Sequence, residues 1–111
     1  MITLSTLLQD PKLKDIDSIN LADNAISDNG MHSIKSIIAN SKIKALNLSS
    51  NMISESGLEM IVDDLSKSTC LSTLDFGVHE GSIRKNSLGV DGAKCIAAVI
   101  LQNKYIESIR L

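Results

Sequence analysis

Apolar positions along this chain follow one pattern that returns. Between Ile16 and Gly30 they fall at Ile16, Ile19, Leu21 and Ile26, and beyond the glycine at Ile34, Ile37 and Ile38. The first group alternates with polar residues, as on a half-buried strand, and the second recurs at helical spacing on one face. The order repeats 27 residues later as Ile43, Leu46, Leu48 and Ile53, then Gly57, then Leu58, Ile61 and Leu65. A third copy runs through Leu71, Leu74, Phe76, Leu88, Gly92, Ile96, Val99 and Ile100, and a fourth opens with Ile106, Ile109 and Leu111. Each unit is therefore predicted to be a short strand, a turn and an amphipathic helix. One unit cannot bury its apolar face alone, so the units are predicted to stack.

Three polar positions keep step with this pattern. Asn24, Asn51 and Asn86 each stand six residues before Gly30, Gly57 and Gly92. The glycines fit where a side chain would obstruct the start of a helix against its neighbour. Ser27 and Ser54 are placed as helix N-caps, with Asp28 and Glu55 in the favourable first turn.

The shared pattern, apolar-x-x-apolar-x-apolar-x-x-Asn-x-apolar-x-x-x-Gly followed by a helix, resembles leucine-rich repeat proteins over residues 16–111. Its repeat length and full helix resemble the ribonuclease-inhibitor-like subfamily, whose members include Ran GTPase-activating proteins and the sensor regions of NOD-like receptors. The resemblance implies an α/β fold: a short right-handed solenoid with parallel strands on the concave side and helices on the convex side. It also implies that the asparagine turns inward and bonds backbone groups left exposed where the strand ends. The units then read 16–42, 43–70, 71–105 and a partial 106–111, preceded by an N-terminal capping helix over 1–15 with Ile2, Leu4, Leu7 and Leu8 on its apolar face.

In such a stack the strand positions between core residues form ladders on the concave side. One ladder is Asn20, Asn47, Asp75 and Arg110; its neighbour is Ser18, Ala45, Thr73 and Ser108. This face is small and polar and lacks the aromatic anchors that dominate tight interfaces. The third unit departs from the pattern: nine residues, GVHEGSIRK, stand between Phe76 and Asn86 where the earlier copies have two. Insertions in repeats emerge as loops on one face, often the binding face. Candidate partner-binding residues are therefore His79, Glu80, Ile83, Arg84 and Lys85 of the loop, Asp75 and Arg110 on the adjoining rim, and Ile109 and Leu111 at the C-terminal edge. An edge strand beside apolar side chains invites a protein partner or a second copy making a homodimer.

Composition narrows the function classes. With no Trp, 2% aromatics and 43% hydrophobic residues, the core must be layered from Ile and Leu. A net charge of -2 supplies no basic footprint for nucleic acid, and no stretch approaches a membrane span. His32 and His79 stand apart, and no nucleophile, base and orienting group share a recognisable spacing. No cofactor, metal or small-molecule substrate is expected. Cys70 and Cys95 lack metal or redox spacing and read as reduced packing residues in a cytoplasmic protein. Glu55, Glu59, Asp63 and Asp64 give the second helix an acidic outer surface. The expected function is a non-enzymatic protein-protein interaction module, a scaffold or assembly subunit. The alternatives are a regulator of a partner enzyme, such as a GTPase-activating protein acting through Arg84 or an inhibitor-like protein, and a small bacterial effector mimicking host repeat proteins.

Overall fold

The computed structural model describes residues 15–111, so the capping helix expected over 1–15 lies outside the described residues apart from Asp15. Four three-residue strands, β1 (Ser18–Asn20), β2 (Ala45–Asn47), β3 (Thr73–Asp75) and β4 (Ser108–Arg110), form one parallel sheet in chain order. The register pairs Ile19, Leu46, Leu74 and Ile109 in the central row, flanked by Ser18, Ala45, Thr73 and Ser108 on one side and by Asn20, Asn47, Asp75 and Arg110 on the other. Both ladders expected from the repeat are therefore present. The central residue of each strand points to the helices, while its two neighbours face the open, concave side.

Helix α1 (Met31–Asn40) follows β1 through a 3-10 turn, Asp28–Gly30. After β2 come α2 (Glu55–Glu59) and α3 (Val62–Lys67), and after β3 comes α4 (Gly89–Gln102). Ile34, Ile37 and Ile38 from α1 join Leu58, Ile61, Leu65, Ile96 and Val99 in one aliphatic core against Leu46, Leu48, Leu71 and Leu74.

The asparagine ladder ties each unit to the one before it. Asn51 is fully buried. Its Oδ1 accepts the N–H groups of Asn24 (2.9 Å) and Ile26 (3.2 Å), and its Nδ2 donates to the carbonyls of Leu21 (2.8 Å) and Ser49 (3.0 Å). Asn86 repeats the arrangement one unit on: Oδ1 accepts from Asn51 and Ile53, and Nδ2 donates to Leu48 and Phe76. Each carboxamide thus serves two donors and two acceptors at the corner after the strand, and of Asn51's four partners the Ser49 carbonyl also accepts the Asp23 N–H.

Those corners have a sharp backbone. Asp23 and Ser50 occupy equivalent positions in the left-handed region, with φ of 57° and 54°, as do Ala25 and Met52, with 51° and 60°. Ala25 is exposed, so its methyl group does little packing that would offset the strain. Ala25→Gly is expected to stabilise the fold by about 0.5–1 kcal/mol, relief of strain outweighing the added freedom of the unfolded chain. The midpoint of urea unfolding should rise accordingly.

Three expectations are corrected. Ser27 does not cap: its φ is 57° and its hydroxyl makes no capping bond, and it is followed by the 3-10 turn, so that α1 begins only at Met31. Ser54 does cap, accepting the Ser56 N–H at 3.3 Å. The second unit's helix is broken rather than continuous, because Met60 and Ile61 donate to carbonyls three residues back and tighten the chain between α2 and α3. The Met60 carbonyl is left to accept from Lys35 Nζ at 3.3 Å. Ile100, assigned to the buried face of the third helix, is 58% exposed, since no further layer covers that side of α4 among the described residues.

Candidate functional site

The inserted segment, residues 77–85, is fastened along the rim where the strands end. The Gly77 N–H donates to Asp75 Oδ1 at 2.7 Å, and the Gly77 carbonyl accepts the Ser50 N–H at 3.0 Å. The His79 N–H donates to Ser50 Oγ at 2.7 Å. Further on, the Ser82 hydroxyl donates to Asp23 Oδ1 at 2.7 Å and Arg84 Nη1 reaches the same oxygen at 2.9 Å. Asp23 and Ser50 are the equivalent left-handed corner residues of the first two units, so the loop runs from unit three across unit two to unit one.

Two ion pairs brace this arrangement. Arg84 sits on Asp23 at 2.9 Å, and Arg110 Nη1 sits on Asp75 Oδ2 at 3.1 Å while its Nη2 donates to the Val78 carbonyl at 2.9 Å. The Ser82 hydrogen bond, then the Arg84 guanidinium, hold the Asp23 carboxyl below its ordinary range. Because that carboxyl is depressed, the loop's tether is present at neutral pH and is lost only as pH falls through the lowered value.

With its polar groups turned down onto the rim, the segment presents its other side chains outward. Ile83 is 99% exposed, and His79, Glu80 and Lys85 are exposed around it. Sequence reasoning grouped His79, Glu80, Ile83, Arg84, Lys85, Asp75 and Arg110 on one rim, and the fold brings these together. Arg84 and Arg110 are bonded to carboxylates there, so the outward group is narrower than the sequence suggested. Ile109 and Leu111 lie apart. Leu111 is 64% exposed and lines a cleft of about 240 Å³ with Phe76, Leu88 and Ala93. Ile109 lines a second cleft, of about 210 Å³, with Ile100 and Ile106.

Asp23, Ser50 and Ser82 went unnoticed in the sequence. Asp23 and Ser50 do share a signal, being the residues just before Asn24 and Asn51, where the chain turns. Asn103 was missed as well. It is 7% exposed, its Nδ2 donates to the carbonyls of Leu65 and Ser68, and its Oδ1 accepts from Tyr105 and Ile106. It fastens the helix-to-strand side of the third unit as Asn86 fastens the strand-to-helix side. Its position three residues before Ile106, the first apolar residue of the next unit, matches that of Asn40 before Ile43.

The convex acidic surface is partly used internally: Asp64 pairs with Lys35 at 2.6 Å, bridging α3 and α1. Cys70 and Cys95 are unpaired, and burial pushes the Cys95 thiol up, with Glu59 adding to the effect. Among the described residues no cluster of His, Cys, Asp and Glu could hold a metal, and no helix is long and apolar enough to cross a membrane.

Comparison with curated proteins finds no match. Two stretches of the chain, residues 14–35 and 39–62, match the family described as Leucine Rich repeat. Those stretches span β1 with α1's first half, and β2 with α2. Repeats of this family generally mediate protein-protein interaction and are typically non-enzymatic. With its register, its buried asparagines and its single parallel sheet backed by helices, this chain folds as a short α/β solenoid of leucine-rich repeats, the family model matching its first two units.

Proposed function

We propose that the protein is a scaffold or assembly subunit whose inserted loop docks a protein partner through Ile83. The observation that carries this reading is a fully exposed aliphatic residue at the tip of a loop held by bonds to Asp23, Ser50 and Arg110. A loop already held in one shape loses little conformational entropy on binding, and an aliphatic anchor ringed by His79, Glu80 and Lys85 suits an apolar pocket with a polar rim. A GTPase-activating role through Arg84 has no comparable support, because its guanidinium is bonded to Asp23.

The repeat length and the helical segment that follows each of the first three strands support the ribonuclease-inhibitor-like subfamily. The two unpaired cysteines support a reducing compartment such as the cytoplasm. A second contact of the same scaffold is the edge formed by Ile109, Arg110 and Leu111, where a protein partner or a second copy would add to β4.

A photo-reactive amino acid placed at position 83 in cells tests the loop. A discrete adduct with another protein is expected from position 83 and not from Lys42 on the far side, and its yield should drop when Asp23→Ala frees the loop. Equal adducts at both positions, or none at 83, would overturn the proposal.

A further inference from the structure

The open face of the sheet carries the same side-chain turn three times. Asn20 Oδ1 accepts the Ala22 N–H at 3.0 Å, Asn47 Oδ1 accepts the Ser49 N–H at 3.0 Å, and Asp75 Oδ1 accepts the Gly77 N–H at 2.7 Å. Asn47 Oδ1 also accepts the Ser49 hydroxyl at 2.7 Å. This fixes how each carboxamide faces. With its oxygen turned onto the backbone, the nitrogen must point the other way as a donor, and neither Asn20 Nδ2 nor Asn47 Nδ2 has an acceptor among the described residues. In the third rung the second oxygen of Asp75 is bonded to Arg110, whose side chain remains 58% exposed.

The strand register sets these groups in one row: donor, donor, a carboxylate already engaged, then a cation. The row borders a cleft of about 230 Å³ whose other rungs, Ser18, Ala45 and Thr73, are short enough for close approach. Rungs in a sheet lie about 4.8 Å apart, and an α-helix advances about 5.4 Å per turn. A helix laid across the strands therefore brings one side chain per turn to each rung, with a drift of about 0.6 Å per rung that a flexible glutamate absorbs.

The geometry points to an acidic helix of a partner protein as the occupant of the open face. Its carboxylates stand one turn apart over Asn20 and Asn47, a third stands two turns further over Arg110, and no acid faces Asp75. This surface is distinct from the Ile83 loop, and its recognition is polar where the loop's is apolar.

The test uses the whole chain, isotope-labelled, titrated with an alanine-based helical peptide bearing glutamates at that spacing and with its lysine counterpart. The side-chain amide signals of Asn20 and Asn47 should shift with the acidic peptide and not with the basic one. The double variant Asn20→Asp and Asn47→Asp keeps the oxygen on the Ala22 and Ser49 N–H groups but replaces each outward donor by an acceptor. It should bind the acidic peptide at least about tenfold more weakly and the basic one more tightly, as like charges are brought together. Ile83→Asp should change neither, which separates this surface from the loop. An acidic peptide that moves neither amide, or one that binds the double variant as well as the parent, would overturn the assignment.

Discussion

Asn51→Ala is expected to cost about 3–5 kcal/mol of folding stability, a large share of the about 5–15 kcal/mol typical of a domain. The residue is fully buried, and alanine would leave the N–H groups of Asn24 and Ile26 and the Leu21 carbonyl without a partner, while the Ser49 carbonyl keeps the Asp23 N–H at 2.9 Å. Each such group costs about 1–3 kcal/mol when buried and unsatisfied. The total stays below the sum because the corner around Asn24 and Ala25 is exposed and admits water to some of them. Asn86→Ala should cost less, since Asn86 is only partly buried. Asn51→Asp should resemble alanine, because its carboxylate would face the carbonyls of Leu21 and Ser49 where the amide now donates. Urea unfolding of the three variants checks the order. A cost for Asn51→Ala below about 1 kcal/mol would mean that the carboxamide ladder does not hold the corners.

Gly57→Ala is the second large effect, about 2–3 kcal/mol, and it acts through a residue in another unit. A Cβ at Gly57 would overlap the carboxylate of Asp28, and it would lie 3.1 Å from Ile53 Cγ2. Asp28 cannot simply swing aside, because its two oxygens accept the N–H and the hydroxyl of Ser54. The methyl group therefore either breaks those bonds or pushes α2 away from the 3-10 turn of the first unit. Asp28→Ala removes the obstacle together with the bonds, so the double variant should cost clearly less than the two single costs added together. Strict additivity would show that the overlap is relieved elsewhere. The glycine is needed for close approach, as the sequence led us to expect, and its backbone is ordinary right-handed helix.

The periodic part of the sequence determines the periodic part of the fold. Ile19, Leu46, Leu74 and Ile109 had to share a row because each is the same distance from its unit's other apolar residues, and a slip of one residue would turn all of them outward. Gly57 was legible for the same reason. Ser27 was not, since a serine before an acidic residue has the same local signature whether the chain enters an α-helix directly or through a 3-10 turn. Met60 and Ile61 lie in an unbroken helical pattern, and the break there coincides with a bond from Lys35 of the neighbouring helix, which no local pattern encodes. The candidate site was legible as a place and not as a geometry. The insertion before Asn86 is plain from counting, but the attachment of Ser82 and Arg84 to Asp23 joins residues 59 and 61 positions apart, which no local pattern encodes. Asn103 sits in the connection most variable between copies, so the repeat gives it no echo in unit two, where Ser68 takes the place.

Stacked repeats are commonly treated as a one-dimensional array in which a unit senses only its immediate neighbours, so that either end can fray while the other stays intact. The strap from Arg84 to Asp23 breaks that rule by coupling the first unit to the third. Fraying at one end then requires release at the far side of the middle unit, and amide exchange at β1 should rise when Arg84 is replaced, although Arg84's side-chain bond goes to Asp23, outside β1. A segment inserted in the third repeat thereby makes three units open as one.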